Sequence, residues 1–182
     1  MSDPLFFGYG SLVNLATHDY RDPRPARLPG WRRIWRTTNL RGGAFLSVEP
    51  VGGDGAIDGV VAAVPGADWA ALDEREGAYA RIDVTGTVVH DGPPAPCAVY
   101  RVSDSYTDGA GAPAPIWLSY LDVVTQGFLR LFGEAGVERF YATTDNWGPI
   151  EDDRAAPRYS RAQVLTGEER ALVDRSLAAL PR

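Results

Sequence analysis

The sequence predicts an α+β fold, a small mixed sheet, curved or closed into a barrel, with a few helices packed on it. Candidate strands crowd the first two thirds of the chain and candidate helices come late. No repeat, low-complexity tract or long linker divides the 182 residues. The chain therefore reads as a single domain over 1–182, with a helical part at 115–182 that carries fewer recognisable signals.

Each element has its own signal. Leu5 to Tyr9 is a short apolar strand, Trp31 to Thr37 an Arg-rich one, and Ala44 to Val48 follows Gly42-Gly43. Gly59 to Val64 is a continuous apolar run stopped by Pro65-Gly66. Asp68 to Glu74 reads as a short helix turning Trp69 and Leu72 inward. In Arg81 to His90, Ile82, Val84 and Val88 alternate with Arg81, Asp83, Thr85 and Thr87, the period of a half-buried strand. Asp91-Gly92-Pro93-Pro94 breaks it, and Cys97 to Val102 reads as its hairpin partner. Residues 103–115, rich in Gly, Asp, Ser, Ala and Pro, predict a long exposed loop. Pro115 suits a first helical turn. Beyond it, Trp117, Leu121, Val124, Phe128 and Leu131 form an apolar helical face that Gly133 and Gly136 are expected to end. Thr166-Gly167-Glu168-Glu169 is a capping box for a last helix with Leu172, Val173, Leu177 and Leu180 on one side.

Composition narrows the function. A net charge of −6 argues against a nucleic-acid footprint. All 18 basic residues are Arg, which excludes a Schiff-base lysine and a phosphate-loop lysine, and the Arg, Ala, Gly and Pro bias suggests a GC-rich bacterial source. Cys97 is the single cysteine, read as a small apolar strand residue; His18 and His90 are read as surface residues. These spacings give no metal site, and no cofactor is expected. No apolar run reaches the length of a membrane span, and the N-terminus lacks the marks of a secretory signal. The expected compartment is the cytoplasm, with no membrane or nucleic-acid partner and a homodimer as an admissible assembly.

Two segments carry chemistry. Phe6-Phe7-Gly8-Tyr9-Gly10-Ser11-Leu12 runs an apolar strand into two glycines and two hydroxyls. Glycines let a chain turn with φ > 0 and bring its N–H groups near a bound group. The same pattern also suits a plain tight turn after an edge strand. Leu72-Asp73-Glu74-Arg75-Glu76-Gly77-Ala78-Tyr79 joins the short helix to the alternating strand. Asp73 and Glu74 read as exposed helix residues or partners for Arg75. Glu76, at a helix end where the dipole disfavours negative charge, can point over the sheet into a pocket. Burial there is expected to raise its pKa from about 4.3 towards about 6–7, where it can take a proton from an amine and return it.

Together these segments resemble the γ-glutamylcyclotransferase-like superfamily, its AIG2-like and ChaC-like branches included. Gly8-Tyr9-Gly10-Ser11-Leu12 is similar to the family's Y-G-S-(x)-L signature, and Leu72-Asp73-Glu74-Arg75-Glu76-Gly77 to its L-D-x-x-E-G segment. Gly42-Gly43-Ala44 and Gly59-Val60-Val61 look like its two intervening strands, and the likeness covers roughly residues 5 to 102. The turn lacks the Asn that some members carry between Ser and Leu, which places it nearer the glutathione-acting and bacterial branches.

The resemblance implies conversion of a γ-glutamyl amide or peptide, glutathione among them, into 5-oxoproline and a free amine. The substrate's own α-amino group attacks, so no protein nucleophile is needed. Glu76 is then the acid/base. The N–H groups of Gly10, Ser11 and Leu12 receive the oxyanion, and Tyr9 and Tyr79 shape the pocket, each of them alternatively a core tyrosine. Arg81, Arg101, Asn39 and Arg41 are candidates for the substrate carboxylates, or else solvated charges. Asp145-Asn146-Trp147-Gly148 reads as a polar loop able to cover the leaving group. The competing reading is a non-catalytic module binding a small acidic metabolite on the same fold; a metal-dependent hydrolase lacks ligand spacing.

Overall fold

A computed structural model describes residues 3–40, 42–107 and 111–181. In chain order the strands are β1 (Leu5–Gly8), β2 (Arg21–Pro29), β3 (Trp31–Arg36), β4 (Phe45–Pro50), β5 (Ala56–Ala63), β6 (Tyr79–Asp83), β7 (Val89–His90), β8 (Cys97–Val102), β9 (Ile116–Trp117), β10 (Thr144–Asp145) and β11 (Ile150–Glu151). The helices are α1 (Ala70–Arg75), α2 (Leu118–Ala142) and α3 (Gly167–Ala178). The mixed α+β architecture is the predicted one.

β1 is central because both its phenylalanines are buried. It pairs antiparallel with β5 and parallel with β8 in a six-stranded sheet of order β6-β8-β1-β5-β2-β7. β3, β4 and β10 form a second sheet, and β9 and β11 pair alone. The two larger sheets are tied by β4 against β8. The Val102 amide donates to the Ser47 hydroxyl at 3.0 Å, and the Tyr9 hydroxyl donates to the Tyr100 carbonyl at 2.6 Å.

Three elements differ from the sequence expectation. β2 was not foreseen, because Pro23, Pro25 and Pro29 lack N–H donors. They are tolerated because β2 bonds fully only to β5; its other edge meets the two-residue β7. The alternating strand from Arg81 to His90 is two strands. A turn at Val84, with Gly86 at φ 78°, ends β6, and β7 crosses to pair with β2 instead of β8. Gly133 (φ 68°) breaks helical geometry within α2, yet the helix resumes and runs to Ala142, with Gly136 buried inside it. Leu121, Val124 and Phe128 are buried as expected and Leu131 is partly buried, while Trp117 sits in β9 before the helix starts. The Thr166–Glu169 capping box is formed, its two bonds at 3.1 and 2.9 Å. Within 103–115, residues 108–110 lie outside the described residues.

α2 presses on the segment after β1. A Cβ on Gly127 would lie 2.6 Å from the Asn14 amide nitrogen, so only glycine lets the helix come this close. The buried Asn14 side-chain Nδ2 donates to the Val123 carbonyl and to Gln126 Oε1, both at 2.9 Å. Arg33, fully buried, lies between the Phe128 and Phe140 rings at 4.9 and 5.1 Å. Its guanidinium donates to the Tyr9 carbonyl at 2.9 Å, to Thr143 Oγ1 and to the Asp58 carbonyl. Burial lowers its pKa to about 9, against the attraction of Asp58. These bonds and ring faces offset part of the cost of desolvating the charge. No helix among the described residues is long and apolar enough to cross a membrane.

Gly59 on β5 faces β1 at close range: a Cβ there would sit 2.3 Å from the Gly8 carbonyl oxygen and 2.6 Å from the Phe7 ring. Gly59→Ala should cost at least about 2 kcal/mol, since backbone cannot swing aside as a side chain can. Calorimetry should show a melting temperature lower by roughly 4–8 °C.

Candidate active site

The short helix α1 and the turn after β1 meet over one cavity with two chambers. The inner recess, about 30 Å³, is lined by Tyr9, Gly10, Ser11, Leu12 and Tyr100. The outer chamber, about 150 Å³, is bounded by Phe45, Trp117, Tyr159 and Arg161. Ser11, Leu46, Glu76, Tyr79 and Tyr120 line both.

Glu76 ends α1. Its amide donates to the Leu72 carbonyl at 2.9 Å, and its carbonyl accepts from the Tyr79 amide at 2.7 Å, which turns the chain into β6. Its side chain is 15% exposed and reaches the cavity the turn encloses. The Arg75 guanidinium stands 3.3 Å from the Glu76 carboxylate. The same guanidinium donates to the Thr17 carbonyl at 3.1 Å and to Thr17 Oγ1 at 3.3 Å, and it approaches Ser11 Oγ at 3.5 Å. Arg75 thus bridges the carboxylate and the turn.

Three phenols surround the carboxylate. Burial, with the negative charge of Glu76 adding to it, raises Tyr9, Tyr79 and Tyr120 above the ordinary tyrosine value, so all three stay protonated. The Tyr9 hydroxyl is already spent on the Tyr100 and Leu46 carbonyls, at 2.6 and 3.3 Å. Tyr79 donates to the Leu46 carbonyl at 2.9 Å. Both are therefore core-anchored tyrosines whose rings shape the cavity. The Tyr120 hydroxyl faces the Ser11 amide and would lie 2.6 Å from a Cβ on Gly10. Neither Gly8 nor Gly10 has positive φ. They are needed for close approach instead: a Cβ on Gly8 would fall 2.6 Å from the Leu12 Cβ.

The remaining candidates lie elsewhere. Arg81 is not in the cavity wall. Two residues beyond Tyr79 on β6, it is drawn to Asp73 at 3.2 Å and lies over the Trp69 ring at 4.5 Å. Asp73 also accepts from the Tyr100 hydroxyl, so it is not Arg75's partner. Arg101 pairs with Asp104 at 2.7 Å. Asn39 lies outside the lining, where its amide donates to the Tyr106 carbonyl, and Arg41 lies outside the described residues. Trp147 stacks on Tyr141 at 5.1 Å and Asp145 pairs with Arg32, so that loop is packed away from the cavity. Cys97 is buried in β8, and burial pushes its thiol up to about 12. Among the described residues no cluster of three or more His, Cys, Asp or Glu gathers to hold a metal.

Sequence reasoning missed Arg75, Tyr120, Tyr159 and Arg161. The last two lie on a loop latched to the start of α2. There the Asp153 carboxylate accepts from the Ser119 amide at 2.7 Å, the Ser119 hydroxyl at 2.6 Å and the Arg158 amide at 2.9 Å. Burial alone would raise its pKa, but these bonds outweigh it and hold Asp153 below the usual carboxylate range. Tyr159 then packs edge-on against Tyr120, ring centres 5.0 Å apart.

Residues 6–117 match the family model described as gamma-glutamyl cyclotransferase, AIG2-like. Among solved structures, the chain is similar to one titled gamma-glutamyl cyclotransferase, with 19% identity, 94% of this chain and 98% of that chain covered, and a TM-score of 0.59. An uncharacterized human protein is 19% identical, with 96% and 99% covered and a TM-score of 0.60. YkqA from Bacillus subtilis is 22% identical over 83% of this chain and 57% of that one, with a TM-score of 0.59. At these identities the structures show the shared fold. None of the curated proteins compared is a significant match.

One titratable group braces the turn. His18 is half-buried, not a surface residue; its Nε2 lies 2.9 Å from the Leu12 carbonyl, and its Nδ1 accepts from the Tyr20 amide at 3.2 Å. Burial lowers its pKa below 6.5, against the pull of the Leu12 carbonyl. As pH falls through about 6.5 the unfolded chain takes the proton first. The His18 contribution is thus complete above that pH and lost as pH drops to the folded value. Urea unfolding between pH 7.5 and 5 should show a steeper loss of stability in the wild type than in His18→Gln; equal slopes would count against this tie.

Proposed function

The chain belongs to the gamma-glutamyl cyclotransferase, AIG2-like family, and on that premise we propose that its cavity converts a γ-glutamyl amide or peptide into 5-oxoproline and a free amine. The observation that carries the reading is the convergence of the Glu76 carboxylate with the Gly10–Leu12 turn on one phenol-lined recess. Glutathione falls within this substrate class.

The substrate's α-amino nitrogen attacks its own γ-carbonyl carbon. One C–N bond forms, closing a five-membered lactam, and the C–N bond to the leaving amine breaks. The proton shed by the attacking nitrogen passes to the Glu76 carboxylate and from there to the departing nitrogen, so no water is consumed. General acid–base catalysis of this kind contributes about 10²–10⁴-fold. The larger share falls to geometry. The cavity walls hold the γ-glutamyl arm bent, and aligned ring closures reach effective molarities of about 10⁵ M or more. The amide N–H groups of the turn receive the charge that develops on the carbonyl oxygen. The protonated Tyr120 hydroxyl stands beside them as a further donor.

Incubation with a panel of γ-glutamyl compounds, followed by mass spectrometry, should yield 5-oxoproline. Glu76→Gln should lower turnover by at least about 10²-fold while calorimetry still detects substrate binding. Near-normal turnover would remove Glu76 from the acid/base role, and binding without product in the wild type would favour a metabolite-binding module. Gly10→Val, which pushes into the Tyr120 hydroxyl, should weaken binding at least tenfold while shifting the melting temperature by less than about 4 °C, equivalent to about 1 kcal/mol.

A further inference from the structure

The cavity wall carries three charged side chains, Arg75, Glu76 and Arg161. Arg75 and Glu76 offset one another, which leaves the outer chamber one positive charge, on Arg161. The inner recess holds Glu76 alone of the three, so Arg161 belongs to the outer end.

Arg161 is exposed and has no carboxylate partner among the described residues, whereas its loop neighbours are committed: Arg154 to Asp122 at 2.7 Å and Arg158 to Glu151 at 2.7 Å. Its setting is nonetheless built. Asp153 latches the loop to Ser119, Tyr159 leans on Tyr120, and the Ala162 amide donates to the Tyr159 carbonyl at 3.1 Å. Arg161 and Arg75 both line the outer chamber. A free guanidinium in a fixed wall is a fork for a carboxylate.

Resting on the reading above, in which the γ-glutamyl carbonyl sits against the turn beside Glu76, we propose that Arg161 selects substrates whose leaving amine bears a carboxylate, as an amino acid or peptide does and a simple amine does not. The γ-glutamyl head carries one ammonium and one carboxylate and is neutral overall. A carboxylate on the departing group therefore matches the single uncompensated charge of the outer chamber.

The test compares γ-glutamyl-alanine with γ-glutamyl-alaninamide, which differ only in the leaving-group carboxylate. In the wild type, kcat/KM for 5-oxoproline release should favour the acid, mostly through KM. In Arg161→Gln the acid-to-amide ratio should fall roughly tenfold, the equivalent of about 1.4 kcal/mol, and Arg161→Lys should restore part of it. Because Arg161 is exposed, the wild-type ratio should also shrink as salt rises, which a purely structural role would not produce. An unchanged ratio in Arg161→Gln overturns the proposal. Equal losses on both compounds also overturn it, since Arg161 would then hold the glutamyl carboxylate. If neither compound yields 5-oxoproline, the cyclotransferase reading falls on its own. Calorimetric affinities of the same two compounds, for wild type and Arg161→Gln, then decide the subsite by the same ratio; absence of binding by both overturns it as well.

Discussion

The Arg75 guanidinium holds the cavity together. It touches the Glu76 carboxylate on one side and the Ser11–Thr17 segment on the other, so one side chain sets how far the carboxylate stands from the turn. With only 8% of that side chain exposed, water competes weakly for it. Everything around this bridge limits its movement. α1 ends where Gly77 lets the chain leave, β6 is paired to β8, and the turn is pressed from behind by α2 at Gly127. An ion pair on an open surface adds little rigidity, whereas one enclosed by two anchored segments fixes a distance.

The sequence made legible those parts that rest on local rules. Alternation marked β6 near Ile82, the apolar run marked β5, and the Thr166–Glu169 box marked α3. The paired Tyr9-Gly10-Ser11 and Glu76 segments were visible as motifs. What escaped depends on contacts distant in the chain. β2 reads as a proline-rich loop until β5 lies beside it. Alternation continues past Val84 into Val88, but Gly86 turns the backbone, and only the partner strand reveals the change. Arg81 has the spacing of a pocket residue, yet Asp73, eight positions back, is the nearer charge. Arg75 reads locally as a partner for Asp73 or Glu74, because nothing nearby in the chain announces that Thr17 will lie against it. Arg161 gave no signal, since a lone arginine in a polar stretch is unremarkable until its loop is latched.

The phenols show how burial and function are shared in one set of residues. Tyr9 and Tyr79 satisfy main-chain carbonyls of strands that meet without pairing, β4 and β8. Their hydroxyls close the gap between the sheets, while their rings make the recess. Arg33 repeats the device one layer deeper, taking the Tyr9 carbonyl while sitting between two phenyl rings. The turn is thus supported from below by a buried cation and from the side by Arg75.

The Asp153 latch divides the cavity by origin. Apart from Tyr120, the inner wall is made by the first hundred residues, strand, turn and short helix together, whereas one side of the outer wall hangs from a separate stretch clasped to the beginning of a long helix. Segments that share no hydrogen bonds with the reaction machinery are free to drift in composition without disturbing it. A scaffold partitioned in this way lends itself to diversification: one half stays under tight constraint while the other is rewritten, and a single ancestral chemistry can be redirected to new molecules by changes confined to one clasped loop.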